Sequence, residues 1–318
     1  MLESTLMTHV QNLCVHPHRA VGSAGHAAAQ DHLENQLAAL GLAPLENSFR
    51  LPYAFDGIQF CNLVGTVEGT DPRRQAAPLV LGAHYDTVPT TPGADDNAAS
   101  VAVALEVARR VVERPLTRPL WLALFDAEEP PYFHSSAMGS KVFVDEQAPD
   151  VPFHTAVIFD LIGHDLPVPG LGQAIGLMGA ESHIDWLEVV EAARDAAGPL
   201  KPLSIPNRIM PDMSDHHAFR LAETPFLFMT CGAHPATYHQ PADTPDRLNP
   251  ARLVNTVNLA ERLVREADTR PFGPLEEHDT TEFDGRNALR AAGPARVLLG
   301  GSPAVAAKAV YGLASQLY

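Results

Sequence analysis

Histidine and acidic side chains recur along this chain at points where short apolar runs end. The set comprises His84, Asp96, Glu128, Glu129, Asp160 and His239. Two imidazoles combined with several carboxylates form a donor set that suits zinc and its borderline neighbours. Two metals about 3.5–4 Å apart would need one bridging carboxylate and two further ligands each. The residue types therefore indicate hydrolysis assisted by a pair of metal ions.

One assignment accounts for five of these residues as ligands. His84 and Asp160 would bind one metal, and Glu129 and His239 would bind the other. Asp96 would then bridge the pair. This division gives each metal two ligands of its own plus the shared carboxylate, as a two-metal site requires.

Glu128 is left over by that assignment and lies next to a ligand in the chain. Hydrolysis needs a general base beside the attacking water, and Glu128 is the candidate for that role. Asp86 follows His84 by two residues, close enough to hold the imidazole from behind, as carboxylates commonly do for metal-binding histidines. Adjacent glutamates often mark a solvated turn, but the buried run before Glu128 and Glu129 favours two distinct functions here.

The stretch from Leu79 to Asn97 organises the other elements. It begins with Leu-Val-Leu-Gly-Ala, which is typical of a buried strand, and His84 follows at the end of this run. A turn of small residues carries Asp96, and Ala98–Val112 predicts a helix that approaches the sheet closely. Because open α/β folds bind ligands at the carboxyl edge of the sheet, we expect the site there.

Further apolar runs and turn signals complete an α/β pattern. Strands are predicted over Phe49–Phe55, Phe60–Val67, Pro119–Phe125, Ala156–Leu161, Ile175–Met178 and Phe226–Cys231, the first two joined by a turn at Asp56-Gly57. Helices are predicted over 3–14, Ala24–Leu40, Ile184–Ala197, Asn249–Ala267 and Ala304–Leu317. Ser214 is predicted to cap a helix that begins near His216.

Composition excludes several classes of function. The chain has 318 residues and a formal net charge of −16, which argues against nucleic acid or an anionic membrane surface as a partner. The three cysteines, Cys14, Cys61 and Cys231, are widely spaced and suggest neither a disulfide framework nor a metal knuckle. The first residues lack a signal-like apolar segment, and no run approaches the length of a membrane span. We therefore expect a cytoplasmic protein.

The amino-acid composition of the chain changes after residue 268. Residues 270–287 hold several prolines, glycines and acids, and 289–318 is rich in alanine. We therefore divide the chain into a catalytic domain, residues 1–268, and a C-terminal extension, residues 269–318. The extension could be an oligomer arm, a flap over the site or a packed appendage. The sequence also leaves open whether the protein forms a homo-oligomer.

In order and spacing, the site motifs resemble one family. They are Gly-Ala-His84-Tyr-Asp86, Gly-Ala-Asp-Asp96-Asn, Glu128-Glu129, Asp160-Leu-Ile-Gly, Ser214-Asp215-His216 and Tyr238-His239, with Asn62-Leu-Val-Gly and an early Val-Gly-Ser-Ala-Gly-His. This combination is similar to that of the two-zinc aminopeptidases of the aminopeptidase Y and bacterial leucyl aminopeptidase type. The resemblance extends from about residue 10 to about residue 268.

The resemblance implies a three-layer α/β/α fold with a mixed, mostly parallel central sheet and two zinc ions per chain. It also implies hydrolysis of the first peptide bond of peptides with a free N-terminus. Glu128 would be the base, Asp86 would orient His84, and Tyr238 would hydrogen-bond the developing oxyanion. The Asp96-Asn97 peptide corresponds to a bond held cis in the family. The pocket for the first side chain would draw on Leu161, Met213, Phe228 and Tyr238, and its apolar lining favours a large hydrophobic residue.

The chain departs from the family pattern after Glu129. The family usually turns quickly through glycine to Gly-Ser, whereas residues 130–138 intervene here before Gly139-Ser140. This longer segment could contribute Tyr132, Phe133 or His134 to substrate binding. We call residues 130–138 the rim segment.

Three other interpretations stay open. Glutaminyl cyclases share the fold and a stretch like Phe125-Asp-x-Glu-Glu, but the form of the Asp96 motif is typical of two-metal peptidases. The aminoacylase and carboxypeptidase group is the second alternative. In that group the bridging aspartate usually lies further along the chain from the first metal-binding histidine than Asp96 lies from His84. The third interpretation is a binding protein of the same fold that has lost catalysis. Such a protein would lack some of the metal-ligating residues that this chain has.

Overall fold

A single sheet of nine strands forms the centre of the computed structural model, which describes residues 1–148, 150–168, 170–293 and 302–315. The strands are β1 (Ala43–Pro44), β2 (Arg50–Phe55), β3 (Ile58–Val67), β4 (Leu79–His84), β5 (Leu120–Phe125), β6 (Thr155–Phe159), β7 (Ala174–Met178), β8 (Lys201–Ile205) and β9 (Phe226–Thr230). Their order across the sheet is β1-β3-β5-β4-β6-β9-β7-β8, and β2 pairs with β3.

The α-helices of the described residues lie on both faces of this sheet. They are α1 (Leu2–Leu13), α2 (Ala24–Ala39), α3 (Ala99–Glu113), α4 (Gly139–Val142), α5 (Asp185–Ala193), α6 (His216–Leu221), α7 (Pro250–Thr269), α8 (Thr281–Ala292) and α9 (Pro303–Ala314). One face is covered by α1, α2, α3, α5 and α7, and the other by α6, α9 and the turn after α4. The predicted three-layer α/β/α fold is confirmed.

Four adjacent parallel strands, β5, β4, β6 and β9, form the middle of the sheet, and antiparallel pairs flank them. The register pairs His84, the last residue of β4, with Phe125, the last residue of β5. Because these parallel strands end at one edge, the residues that follow them meet in space. The predicted position of the site at this edge follows directly from the topology.

Side chains along β4 point alternately to the two faces of the sheet, and each face has its own hydrophobic core. Leu79, Leu81 and Ala83 pack with the helices of one face, whereas Val80 packs on the other. Gly82 lies where a Cβ atom would come within 2.7 Å of the Phe125 ring and 2.8 Å of Ile158 Cδ1. A side chain at this position would therefore displace the packed Phe125 and Ile158 side chains just before His84.

Some sequence predictions of local structure are incomplete or wrong. Strand β8 and helix α8 were not predicted, because β8 contains Pro202 and α8 lies in a polar, acidic stretch. Ser214 does not cap α6, whose N-cap is Asp215 without a side-chain capping bond. The helix predicted over Ala304–Leu317 is α9, and residues 316 and 317 of that prediction lie outside the described residues.

The described part of the C-terminal extension packs on the main body. Helices α8 and α9 contact each other and β8. The Leu275 amide donates to the Glu223 carbonyl at 2.7 Å, and the Glu276 amide donates to the Ser182 carbonyl at 2.9 Å. These contacts fit a packed appendage, while the division at residue 268 stays a prediction. Among the described residues, no helix combines the length and apolar character needed to cross a bilayer.

His154 joins three parts of the fold. It lies directly before β6, its Nε2 is 3.0 Å from the Ala267 carbonyl oxygen of α7, and its ring meets Phe272 edge-on. Burial lowers the pKa of His154 to about 4. The folded protein therefore holds a neutral imidazole that the unfolded chain, with a pKa of about 6.5, protonates more readily.

We predict that this linkage destabilises the protein in mild acid. The unfolded state binds more protons than the folded state between pH 4 and 6.5. The contribution of the neutral His154 to the free energy of unfolding is therefore complete above pH 6.5 and is lost as the pH falls toward 4. From pH 7 to pH 5 the wild type should lose about 2 kcal/mol more unfolding free energy than His154→Gln, measured by urea denaturation. His16→Gln, at a partly exposed position, is the control, and parallel losses in wild type and His154→Gln would refute the prediction.

Candidate metal centre and substrate cavity

The carboxyl edge of the sheet gathers all six residues first identified from the sequence. His84 ends β4, Asp96 lies in the turn before α3, Glu128 and Glu129 follow β5, Asp160 follows β6, and His239 lies in the loop after β9. We call these six residues the His–carboxylate cluster. The Asp96–Asn97 peptide bond is cis, as the resemblance implied.

Asp96 lies between the two histidines of the cluster. Its Oδ1 is 3.4 Å from His84 Nε2, and its Oδ2 is 3.2 Å from His239 Nε2. Asp160 Oδ1 is 3.6 Å from His84 Nε2, and Glu129 Oε2 is 3.0 Å from His239 Nε2. Each imidazole thus has one carboxylate of its own and a share of Asp96, which is the arrangement that the bridging assignment requires.

Several polar atoms at the centre of the cluster are buried and form no hydrogen bond with the described residues. They are both ring nitrogens of His84, Asp96 Oδ2, Glu129 Oε1, Asp160 Oδ1 and His239 Nε2. Buried polar atoms normally have partners, so convergent acceptors without one fit a bound cation. Ligand atoms of His84, Glu128 and Asp160, and of His84, Asp96 and Glu129, lie within 4.8 Å of one another. Distance alone would thus also allow Glu128 as a ligand.

The carboxylates outnumber the cationic groups around the cluster. Asp86 and Asp215 add two buried acids to the four of the cluster. Among the described residues, no lysine or arginine forms an ion pair with any of these six carboxylates, and their ion-pair partners are His84 and His239. Divalent cations would supply the missing positive charge.

The two imidazoles respond to this excess of negative charge. Burial alone would lower the pKa of His84, but the carboxylates of Glu128 and Asp160 outweigh it and hold the pKa well above its usual value. Burial likewise opposes protonation of His239, yet its contacts with Asp96 and Glu129 raise its pKa to about 10. Both rings therefore attract a positive charge, either a proton or a metal ion.

The acidic side chains show the complementary effect. Burial raises the pKa of Glu128 well above its usual value, and Asp160, Glu129 and Asp215 raise it further against the opposing effect of His84. Burial and Asp96 raise the pKa of Glu129 to about 8. A carboxyl group that is costly to ionise at this place is suited to hold and release a proton.

Asp86 fixes both glutamates through their backbone. Its carboxylate accepts the Glu128 amide at 3.1 Å and the Glu129 amide at 3.2 Å. Its Oδ1 also lies 3.4 Å from His84 Nδ1, on the side of the ring away from Asp96. Asp86 therefore lies behind the imidazole and links β4 to the turn after β5.

Asp243 supports Asp96 in the same way, and sequence reasoning missed it. The buried Asp243 carboxylate accepts the backbone amides of Asp95 at 2.8 Å and Asp96 at 3.1 Å. Asp95 in turn accepts the Gly163 amide at 2.7 Å and contacts His164 Nδ1. Asp243 lies in a proline-rich turn 147 residues after Asp96, so local sequence offers no signal for this contact.

Arg19 is a second residue that the sequence did not reveal. This fully buried side chain donates to the carbonyls of Tyr85 at 2.7 Å and Gly93 at 2.9 Å. The Arg19 backbone amide also donates to Thr87 Oγ1 at 2.8 Å. It thereby fixes the loop that connects His84 to Asp96, although it lies in a turn-rich connector.

A cavity of about 550 Å³ opens beside the cluster. Asp96, Glu128, Glu129 and Asp160 form its acidic side. All four residues that the resemblance placed in the pocket for the first side chain line it: Leu161, Met213, Phe228 and Tyr238. Their roles stay predictions, but the structure places them where a substrate side chain would meet them.

The rim segment contributes two of its three candidate side chains to this cavity. Phe133 and His134 line it. Tyr132 instead packs edge-on against Phe60, with ring centroids 5.0 Å apart, in a small separate cluster.

The support from Asp243 leads to a prediction about metal affinity. Asp243→Ala leaves two amides beside Asp96 unpaired, and loss of such outer support typically costs roughly 10–100-fold in metal affinity. Asp246→Ala, at an exposed aspartate three residues along, should leave zinc affinity unchanged. Competition with a chromophoric chelator measures both variants, and wild-type affinity in Asp243→Ala would contradict the prediction.

The chain is similar to known proteins in sequence and in fold. Among curated proteins, the uncharacterized protein YfbL of Escherichia coli (strain K12) is 30% identical over 208 residues, which are 57% of this chain and 64% of that protein. Among solved structures, a leucine aminopeptidase precursor from Bacteroides thetaiotaomicron is 19% identical with a TM-score of 0.67, covering 83% of this chain and 96% of that one.

A glutaminyl cyclase from the same organism is equally similar. It is 19% identical with a TM-score of 0.66, covering 83% of this chain and 97% of that one. At this identity both structures show the fold alone. Residues 62–264 match the model of peptidase family M28, which is more than half of the chain. The chain therefore belongs to peptidase family M28.

Proposed function

We propose that this peptidase is a two-zinc aminopeptidase that removes the first residue from peptides with a free N-terminus. The observation that carries the proposal is the position of Asp96 between His84 and His239 at the side of an apolar cavity. A bridging carboxylate between two His–carboxylate pairs is the ligand pattern of a two-metal hydrolytic site.

The residues that would hold the metals are His84 and Asp160 on one side, Glu129 and His239 on the other, and Asp96 between them. When bound, the two ions would polarise the scissile carbonyl and lower the pKa of a water molecule. The unpaired acceptor atoms of these five side chains support their assignment as ligands.

Glu128 would carry the proton. Its carboxylate lines the cavity, and burial raises its pKa, so it can take a proton from the attacking water and give it to the leaving amine. Asp86 would hold Glu128 in place through the amide that it accepts. Asp86 is thus a positioning residue for both His84 and the base.

Tyr238 would steady the oxyanion. It lines the cavity, and its ring stacks on that of His239 with centroids 3.9 Å apart. Burial and the nearby carboxylates raise the pKa of Tyr238, so its hydroxyl keeps the proton that it would donate to a developing negative charge.

The free α-amine would lie near a metal and its acidic ligands, on the acidic side of the cavity. An acylated amine has no free lone pair to offer and adds bulk there. Leu161, Met213 and Phe228 would receive the first side chain, which favours a large hydrophobic residue.

The proposal also includes the remaining expectations. We propose a cytoplasmic location, residues 1–268 as the catalytic domain, and peptides rather than nucleic acid or membrane surfaces as partners. The net charge of −16 supports the exclusion of polyanions. A homo-oligomer stays open.

Glutaminyl cyclisation is the second candidate, because glutaminyl cyclases occur among the structural neighbours. It is disfavoured by the presence of both His–carboxylate pairs around Asp96. Cyclisation needs a group that promotes attack by the substrate's own amine. It does not require a second His–carboxylate pair.

We predict that zinc-loaded protein releases leucine or phenylalanine from short peptides and does not act on their N-acetyl forms. Glu128→Gln, which keeps the shape but removes the base, should lower kcat by roughly 10²–10⁴-fold. Glu113→Gln, at an exposed glutamate of α3, is the matched control and should retain full activity. Mass spectrometry of the products measures release of the first residue and, with glutaminyl peptides, loss of ammonia.

The outcomes separate the candidates. Pyroglutamyl product without release of a first residue would overturn the proposal in favour of the cyclase. Cleavage of N-acetyl substrates alone would favour the aminoacylase interpretation, and unchanged activity in Glu128→Gln would remove that residue as the base.

A further inference from the structure

The rim segment gives the cavity two rings that the proposed function leaves without a role. Phe133 and His134 line the cavity beside Pro130, which follows Glu129 directly. This is also the place where the sequence departs from the pattern of the aminopeptidases that it resembles. What these two side chains contact should therefore be particular to this protein.

The two rings are held in a fixed stack. The Phe133 and His134 rings stack with centroids 3.9 Å apart, and the His134 and His217 rings stack at 4.1 Å. His217 Nδ1 lies 2.7 Å from Asp212 Oδ2, and Asp212 also accepts Arg220 Nε. The stack is thus anchored to α6 rather than to the rim segment alone.

The backbone of the rim segment supports the same conclusion. His134 has a φ of +57°, a left-handed conformation that only a few per cent of residues with a side chain adopt. Its ring stacks on His217 in this conformation. We call the stacked side chains of Phe133 and His134 the wall.

The depth of the cavity decides which part of a substrate meets this wall. Phe228 is 2% exposed and Leu161 6% exposed, so they line the closed end, whereas Phe133 is half-buried and His134 is exposed. An aminopeptidase holds one residue at its closed end, and the rest of the peptide must leave through the open side. The second residue of the substrate would therefore lie toward the exposed part of the lining, to which the rim segment contributes Phe133 and His134.

We propose that Phe133 and His134 are specificity-determining residues that contact the second residue of the peptide and favour an aromatic side chain there. This inference rests on the proposed aminopeptidase function. Planar rings gain energy by stacking on aromatic groups, and the nearby charges of Asp212 and Arg220 are already paired with each other. Partial burial and the neighbouring His217 lower the pKa of His134.

The test compares peptide amides that differ only at the second residue. Zinc-loaded full-length protein is assayed with Leu-Phe-amide and Leu-Ala-amide, and released leucine gives kcat/KM. Phe133→Ala/His134→Ala should lower kcat/KM for Leu-Phe-amide roughly tenfold and change that for Leu-Ala-amide less than about twofold. Phe55→Ala, at a 40% exposed phenylalanine outside the cavity lining, should change neither.

A second variant and a second series keep the test decisive. His134→Ala alone, which removes one exposed ring, should lower kcat/KM for Leu-Phe-amide in the same direction, and thermal melting checks that both variants are folded. Equal changes for the two substrates, or no change, would overturn the inference while leaving the aminopeptidase intact. A variant that instead alters the preference between Leu-Ala-amide and Phe-Ala-amide would place the wall at the first residue and also overturn it. Wild type that cleaves none of these peptides would overturn both proposals.

Discussion

An excess of buried negative charge at one edge of the sheet is the constraint on which the rest of this structure depends. Six carboxylates, those of Asp86, Asp96, Glu128, Glu129, Asp160 and Asp215, are each at most 6% exposed. The cationic side chains paired with them among the described residues are two histidines. Such crowding is costly in a folded protein unless cations compensate for it. A site of this kind is kept for chemistry and not for stability.

The fold holds two of the acidic segments from a second place in the chain. Asp86 holds the turn of Glu128 and Glu129, and Asp243 holds the turn of Asp96. Arg19 fixes the loop between His84 and Asp96 through backbone carbonyls on both sides of that loop. None of these three residues is assigned as a metal ligand. They nevertheless set the positions of the residues that are assigned as ligands. Their hydrogen bonds orient the segments that carry the proposed ligands, as outer partners do in metal sites.

The sequence was informative where the signal is local. His84 ends a buried strand, Glu128 and Asp160 each follow one, and a parallel sheet brings such strand ends together without further information. The family resemblance added the pocket residues Leu161, Met213 and Tyr238, which lie in loops, and Phe228, which lies in β9. Arg19 and Asp243 escaped because the site residues that they contact are 66 or more residues away and their own surroundings resemble ordinary turns. Strand β8 and helix α8 escaped because tertiary packing, not local pattern, stabilises them.

The most direct test of the central claim is the number of zinc ions that the cluster binds. Metal-free protein titrated with Zn²⁺ in a calorimeter should bind two ions per chain, and Asp96→Ala should weaken both because it removes the shared carboxylate. Asp31→Ala, at an exposed aspartate of α2, should bind as the wild type does. Two ions in the wild type, both weakened in Asp96→Ala, would support the account. A single ion, or two ions that Asp96→Ala binds as tightly as the wild type, would contradict it.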